Sequence, residues 1–252
     1  MNLYFLVEGK RTERKVYPAW LKHLLPELQQ VQNYDEVNKN NYYLFSGEGY
    51  PSIIYDHLPN AVADINANGK YNYFVVCLDA EENRVSCIQQ EIYDFLTAEK
   101  IQMVSTQLVL IIQNRCLETW FLGNRKIYSR QPQSEPLLDY TRYYDISSNC
   151  PELMGNYDKF NTHAQFHEAY LKELFRAKNI NYSKKNPGDV LKLYYLEQLL
   201  ARIQEKNHHG SIHFWKKHRA IGNRGYTNEV RLRGLSETRV GGFCLYSPRL
   251  LV

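Results

Sequence analysis

The sequence predicts an α/β fold in which a mainly parallel sheet of about four strands is flanked by helices. Two observations support this fold class. Short apolar segments alternate with amphipathic segments through the first half of the chain, as strands and helices do around a parallel sheet. The apolar segments are also continuous, and continuous runs are typical of strands that are buried on both faces.

The first two predicted strands each precede a helix. Residues 3–7 (LYFLV) form a short apolar run, and residues 11–25 then place Val, Trp and Leu at helical spacing. Residues 41–45 (NYYLF) repeat the strand pattern and lead into the turn sequence SGEGYP. Pro51 suits the first turn of a helix, so we expect a second helix over about 51–66.

The next two apolar runs complete the predicted sheet. Residues 71–79 (YNYFVVCLD) give the strongest strand pattern in the chain, and a helix is expected over about 85–99. Residues 106–113 (TQLVLIIQ) form the fourth strand. No apolar run approaches the roughly 18 residues that cross a bilayer, so we expect no membrane span.

The remainder of the chain has a different pattern. Residues 131–160, rich in Ser and Pro, show no stable periodicity and are predicted to be a connecting loop. Two helices are expected beyond it, over about 162–176 and 188–206. We therefore divide the chain into a catalytic domain (1–130), this loop, and a C-terminal helical and basic region (161–252).

Composition indicates where the protein works. The five cysteines are scattered and form no CxxC pair, so neither a disulfide framework nor a zinc ribbon is expected. The N-terminus begins a strand at once and lacks the pattern of a secretory signal. These features predict a cytoplasmic protein. The number of subunits is left open.

Positive charge is concentrated at the end of the chain. The whole sequence has a net charge of +4, and residues 210–252 contain a clear excess of Lys and Arg over Glu. Such a segment suits contact with a polyanion, and a solvated surface or a docking segment for a partner protein is an equal alternative. The residues that we expect to bind nucleic acid in this segment are Lys216, Lys217, Arg219 and Arg224.

Carboxylates follow two of the predicted strands. Glu8 follows the first strand, and Asp79 and Glu81 follow the third. Because ligands bind at the carboxyl ends of the strands in an open parallel sheet, these carboxylates would converge if the two strands are neighbours. Grouped carboxylates repel one another unless a hard cation such as Mg²⁺ or Mn²⁺ neutralises them. An extended backbone would turn Asp79 and Glu81 to the same side and Glu82 away from them.

Each of these carboxylates also has a structural interpretation. Glu8 would be favoured by the helix dipole as an N-terminal carboxylate, and Asp79 would cap the helix that follows it. Glu118, in the segment after the fourth strand, would pair with Arg115 or Arg125. For Glu118 the two interpretations are nearly balanced.

Several motifs together resemble one known family. The segment LVEGKRTERKVY resembles the opening motif of the Toprim domain, in which a Glu and a Gly (Glu8, Gly9) are followed by a second acid, Glu13. The segment FVVCLDAEEN stands in the place of the paired-acid motif of that family, with Glu81 where Asp is common. The later IIQNRCLETWFLG resembles RloB-like proteins, Toprim relatives found in bacterial defence loci beside ATPase partners. The resemblance covers about residues 1–130.

The resemblance implies a divalent-metal-dependent nuclease that acts in antiphage defence with an ATPase partner. A topoisomerase would need a further domain with a nucleophilic Tyr, for which the chain has no room. Two alternatives remain open, namely a module that binds nucleic acid or the ATPase without cutting, and an enzyme that transfers phosphate on a small molecule.

The implied roles fall on the predicted carboxylates and the start of the first helix. Asp79 and Glu81 would hold a cation at the scissile phosphate, and Glu8 would hold a second one or accept the proton of the attacking water. Lys10 or Arg11 would neutralise charge on the phosphate. Three further acids complete the prediction, Glu118 as a metal ligand and Glu13 and Glu82 as supports of the ligands.

Overall fold

The computed structural model describes residues 1–132 and 134–206 and shows an α/β fold with a five-stranded, wholly parallel sheet. The strand order is β2-β3-β1-β4-β5. The four predicted strands are confirmed, and a two-residue, exposed edge strand is added to them. Its two glutamines have no apolar pattern from which it could be predicted. The strands are β1 Leu3–Val7, β2 Gln29–Gln30, β3 Asn41–Ser46, β4 Tyr73–Asp79 and β5 Gln107–Gln113.

Strand β1 lies at the centre of the sheet. Its last residue, Val7, is in register with Ser46 of β3 on one side and with Cys77 of β4 on the other. The first and third predicted strands are therefore neighbours, which meets the condition under which their carboxylates converge. Because all strands run in the same direction, the residues that follow β1, β3 and β4 meet at one edge of the sheet.

Seven α-helices lie in the described part of the chain, and a π-helical turn (Ile53–His57) leads into the second of them. None of the helices in residues 1–132 and 134–206 has the length and apolar character that a bilayer crossing requires. The helices are α1 Glu13–Leu24, α2 Leu58–Asn68, α3 Val85–Ala98, α4 Leu117–Phe121, α5 Glu135–Tyr143, α6 His163–Ala177 and α7 Leu193–Lys206.

The connecting loop predicted over 131–160 is corrected by the structure, because this segment contains α5. Ser134 and Pro136 stand at the start of α5, where a helix tolerates Pro because the missing N–H would be unpaired in any case. Of the helix residues, Leu137 is fully buried. The helix has nine residues, and the Ser and Pro at its start are residues that also mark loops, so the segment resembles a connection in sequence.

The two faces of the sheet bury different side chains. Leu3, Phe5 and Val7 of β1 point to one face and pack with α1, whereas Tyr4 and Leu6 point to the other face and pack with α2 and α3. This alternation follows from the two-residue period of a strand. The central strand is thus buried on both faces, as its continuous apolar sequence predicts.

The C-terminal helices share the core on the α1 face. Phe166 and Tyr170 of α6 and Tyr195 of α7 belong to the same buried cluster as Phe5. Trp20 of α1 donates its indole N–H to the carbonyl of Val190 at 2.9 Å. The region between α6 and α7 is consequently held beside α1, and its first half reaches the start of that helix.

Candidate functional site

A cavity of about 310 Å³ opens at the carboxyl edge of the sheet. The turns after β1, β3 and β4, the beginnings of α1 and α4, and the connection between α6 and α7 surround it. The charged side chains that line it are the carboxylates of Glu8, Glu13, Glu48, Asp79, Glu81 and Glu118 and the cations Lys10, Arg11 and Lys184. Carboxylates therefore outnumber cations in the cavity by two to one.

Glu8 directly follows β1 and lies between the ends of β3 and β4, the two strands that flank β1. Its backbone N–H donates to the carbonyl of Cys77 at 2.9 Å, which extends the pairing of β1 with β4 by one residue. Its carboxylate accepts hydrogen bonds from the backbone N–H of Asp79 at 2.8 Å and of Tyr50 at 3.2 Å. Burial raises the pKa of Glu8, and these two hydrogen bonds partly offset the rise.

Asp79 is the last residue of β4 and the most strongly perturbed carboxyl group of the cavity. Burial raises the pKa of Asp79 well above its ordinary value, and repulsion from Glu8 and Glu13 raises it further. Burial and the charge of Glu8 also raise the pKa of Glu81. Carboxylates that repel one another in a half-buried space favour protonation or a bound cation.

Glu81 reaches the cavity by a different backbone path from the one predicted. An extended backbone was expected to bring Asp79 and Glu81 to the same side, but Glu81 has a left-handed conformation with φ of 49°. Two contacts with Arg115 hold this conformation. The backbone N–H of Glu81 donates to the carbonyl of Arg115 at 2.9 Å, and the guanidinium of Arg115 donates to the carbonyl of Glu81 at 3.0 Å.

Gly9 makes room for the carboxylate of Glu13. A Cβ atom at Gly9 would lie 2.1 Å from Glu13 Oε2 and 2.3 Å from Oε1, far inside contact distance. The carboxylate therefore folds back over the turn that follows β1. Burial raises the pKa of Glu13, and the charges of Glu118 and Glu8 act in the same direction. The Glu-Gly pair of the sequence thus has a steric basis, since only glycine permits this approach.

Glu118 is buried on the first turn of α4, after β5 rather than on it. The hydroxyl of Tyr182 donates to its carboxylate at 2.8 Å, and Lys184 Nζ lies 3.8 Å from the same oxygen. The sequence suggested Arg115 or Arg125 as the partner of Glu118 and did not indicate Tyr182 or Lys184. The turn at Glu118 brings the end of β5 into the site.

Three of the site residues were not found by sequence reasoning, namely Glu48, Tyr182 and Lys184. Glu48 lies in the segment SGEGYP, whose composition indicates a turn and not a site. Tyr182 and Lys184 lie between two helices in the C-terminal region, and nothing in their local sequence indicates a site. Although burial acts to lower it, the pKa of Lys184 is raised by the charges of Glu118 and Glu168.

Some predicted site residues have other positions. Lys10 lines the cavity but forms an ion pair with Glu48 at 2.7 Å, and both side chains are more than half exposed. Arg11 lies exposed at the cavity rim. Glu82 does not line this cavity, because its carboxylate accepts hydrogen bonds from the backbone and ring of His163 at 2.8 and 2.6 Å. The residues predicted to bind nucleic acid in the tail, Lys216, Lys217, Arg219 and Arg224, lie outside the described residues.

The donor atoms of the cavity suit a hard divalent cation. They are carboxylate oxygens, which Mg²⁺ and Mn²⁺ prefer, and they come from separate segments of the fold. In residues 1–132 and 134–206, no group of three or more His, Cys, Asp or Glu side chains is already arranged as ligands of a single ion. The hydrogen bonds from Asp79 and Tyr50 to Glu8 show one reason, since they direct that carboxylate toward backbone N–H groups.

Fold and site together define an α/β protein with an acidic cavity at the carboxyl edge of a parallel sheet. No family model, curated protein or solved structure matches the chain. The function must therefore be inferred from the residues of the site.

Proposed function

We propose that the protein is a divalent-metal-dependent nuclease of the Toprim type, related to the RloB-like family. The observation that supports this most is the convergence of Glu8, Glu13, Asp79, Glu81 and Glu118 on one cavity. Burial raises the pKa of Glu8, and burial together with repulsion from other carboxylates raises the pKa of Asp79, Glu13 and Glu81. Such a group of carboxylates is stabilised either by a bound proton or by a bound cation, and hard divalent cations with oxygen ligands commonly fill the second role.

Asp79, Glu81 and Glu118 are the residues that would hold Mg²⁺ or Mn²⁺. When bound, the cation would polarise a phosphodiester and lower the pKa of a water molecule. Glu8 is placed to join them or to accept the proton of the attacking water, because burial raises its pKa. Glu13 lies over the same turn and supports the group electrostatically. Arg11 at the rim suits contact with a neighbouring phosphate.

The biological setting follows from the sequence motifs. We propose nucleic acid as the substrate, a cytoplasmic location, and an ATPase partner in antiphage defence. This setting rests on the resemblance of the segment Asn114–Trp120 to RloB-like proteins. Within that segment, Asn114 and Trp120 both donate hydrogen bonds to Glu152 and so fix the turn that presents Glu118. A protein that binds nucleic acid without cutting it is the second candidate. The left-handed Glu81, in place of the more common Asp, is the observation that favours it.

The test is a cleavage assay with labelled DNA and RNA in Mg²⁺, Mn²⁺ or EDTA. We would compare the wild type with Glu8→Gln and Asp79→Asn, which remove a charge and keep the shape. Both variants should lose cleavage by at least about 100-fold. Glu99→Gln, which neutralises an exposed carboxylate at the end of α3, is the matched control and should cleave at the wild-type rate.

A second measurement keeps the assay informative if the ATPase must switch the enzyme on. Binding of Mn²⁺ to each variant, measured by electron paramagnetic resonance, does not depend on turnover. Weaker Mn²⁺ binding in Glu8→Gln and Asp79→Asn would support the metal site. If the wild type does not bind Mn²⁺ at millimolar concentration, the nuclease proposal is wrong. If it binds metal and nucleic acid but does not cleave even with the partner present, the non-cleaving module is correct.

A further inference from the structure

One cation of the acidic cavity comes from the C-terminal half of the chain. Lys184 belongs to the connection between α6 and α7, yet its side chain lines the same cavity as Glu8 and Asp79. Its ammonium lies 3.8 Å from Glu118 Oε1 and 3.2 Å from Glu168 Oε2. Lys184 therefore lies between a carboxylate of the site and a carboxylate of α6.

The backbone around Lys184 is fixed against the start of α1. The hydroxyl of Thr12 donates to the carbonyl of Lys184 at 3.2 Å, and the ammonium of Lys15 donates to the carbonyl of Lys185. Ser183 and Asn186 close the turn with reciprocal backbone hydrogen bonds at 3.0 and 2.9 Å. These contacts hold the turn beside the site, so the ammonium is presented by a built element rather than by a free loop.

The other cations of the cavity differ from Lys184. Lys10 is paired with Glu48 at the rim, and Arg11 lies exposed. Among the cations that line the cavity in the described residues, Lys184 is the one that forms an ion pair with a buried carboxylate, that of Glu118. Its side chain is about half exposed (51%), so one side of the ammonium faces the carboxylates and another faces solvent.

We propose that Lys184 is the cationic member of the acidic site, which opposes the charge of a bound divalent cation and contacts a phosphate of the nucleic-acid substrate. The second role rests on the proposed nuclease function, and the first does not. An ammonium next to Glu118 reduces the negative charge available to a metal ion. It also supplies a positive group on the solvent side of the cavity, where a polyanion would enter.

The two roles predict opposite effects of one substitution. Lys184→Met keeps the length of the side chain and removes the charge. We expect Mn²⁺ to bind this variant about 3-fold to 10-fold more tightly, because a half-exposed repulsive contact is lost. We expect kcat/KM for cleavage to fall about 10-fold to 100-fold despite the tighter metal binding, because a charged contact to phosphate is lost. A residue that only stabilises the fold would weaken both.

The experiment measures Mn²⁺ affinity by electron paramagnetic resonance and cleavage of labelled nucleic acid on the full chain. Lys185→Met is the matched control, since Lys185 is exposed and uses its backbone carbonyl for its contact with Lys15. Mn²⁺ affinity in Lys184→Met equal to that in Lys185→Met would overturn the proposal. Tighter Mn²⁺ binding with unchanged kcat/KM would show that Lys184 does not contact a phosphate of the substrate. Tighter Mn²⁺ binding in a protein that does not cleave even with the ATPase partner present would refute the nuclease function and support Lys184 as the opposing charge.

Discussion

The carboxylate of Glu8 accepts a hydrogen bond from the backbone N–H of Asp79 at 2.8 Å. This contact joins the ends of β1 and β4, so the two strands bring their acids to the same point. It places the side chain of Glu8 against the backbone that positions the carboxyl group of Asp79. The two residues therefore act as one electrostatic unit, and four predictions follow from it and from the elements that surround it.

The first prediction concerns the pH dependence of stability. Burial and repulsion raise the pKa of Asp79 above its ordinary value of 3.8. The folded protein then holds this proton more tightly than the unfolded chain, so metal-free stability is lost as pH rises from about 4 through the raised pKa. Asp79→Asn removes that loss. At pH 8 we expect its Tm, measured without metal, to exceed the wild-type Tm by about 2–4 °C for each kcal/mol gained.

The difference between Asp79→Asn and wild type should grow between pH 5 and pH 8. Glu99→Gln serves as the control, because its carboxylate is exposed at the end of α3. A Tm difference that is constant with pH, or a variant less stable than wild type at pH 8, would show that Asp79 is not held against repulsion.

The second prediction tests the steric role of Gly9. In Gly9→Ala the new Cβ would displace the carboxylate of Glu13, since the two would otherwise be 2.1 Å apart. A flexible carboxylate can move, so we expect the fold to be retained and Tm to change little. Cleavage should fall about 10-fold, which is the usual effect of losing a supporting group of a metal site.

The control for Gly9→Ala is Gly155→Ala. Its Cβ would lie 2.9 Å from the hydroxyl of Tyr143, which is also a side-chain end, and Gly155 does not line the cavity. Thermal unfolding and cleavage would be measured for both. Full activity in Gly9→Ala would mean that the position of Glu13 is unimportant.

The third prediction concerns the hydroxyl of Tyr182, which holds Glu118 at 2.8 Å. In Tyr182→Phe the buried carboxylate loses its hydrogen-bond donor, which costs about 1–3 kcal/mol of stability. A less well oriented Glu118 should also weaken Mn²⁺ binding about 10-fold. This effect is opposite in sign to the one expected for Lys184→Met, although both residues contact the same oxygen.

Tyr194→Phe is the matched control for Tyr182→Phe. Tyr194 also donates its hydroxyl to a carboxylate, that of Asp189, but it lies on the surface (46% exposed) away from the cavity. It should keep wild-type affinity for Mn²⁺. If Tyr182→Phe bound Mn²⁺ as tightly as Tyr194→Phe, Glu118 would not belong to the metal site.

The fourth prediction concerns the boundary near residue 130. Phe166, Tyr170 and Tyr195 pack into the same buried cluster as Phe5 and Trp20. A fragment of residues 1–130 would expose this cluster to water. We expect such a fragment to lack the near-UV circular dichroism and the cooperative unfolding of the full chain, and to bind a hydrophobic dye. A fragment that unfolds cooperatively would show that the first 130 residues are an independent domain.

Much of the sheet was predictable, because buried parallel strands need continuous apolar runs and the sequence places such runs at β1, β3, β4 and β5. Strand β2 was missed because two exposed glutamines give no pattern. Helix α5 was missed for a different reason, since the Ser and Pro at the start of this nine-residue helix are also common in loops. Short elements are stabilised by their neighbours more than by their own sequence.

The candidate site was predictable only in part. Glu8 and Asp79 follow apolar runs, so their convergence depends on strand order alone, and the structure places them together. Glu82 follows the same strand as Asp79 but contacts His163 of α6, because the backbone turns at Glu81. A left-handed turn at a glutamate cannot be inferred from the residue type, since few non-glycine residues adopt it.

The sequence by itself determined the four longer strands and the carboxylates that follow them, because the continuous apolar run of a buried strand is a local property. The tertiary structure alone decided that Tyr182 and Lys184 join these carboxylates. That outcome depends on the packing of α6 and α7 against α1, through contacts such as the one between Trp20 and Val190. Contacts between residues so far apart in the chain are set by the shape of the whole core, which no local pattern contains.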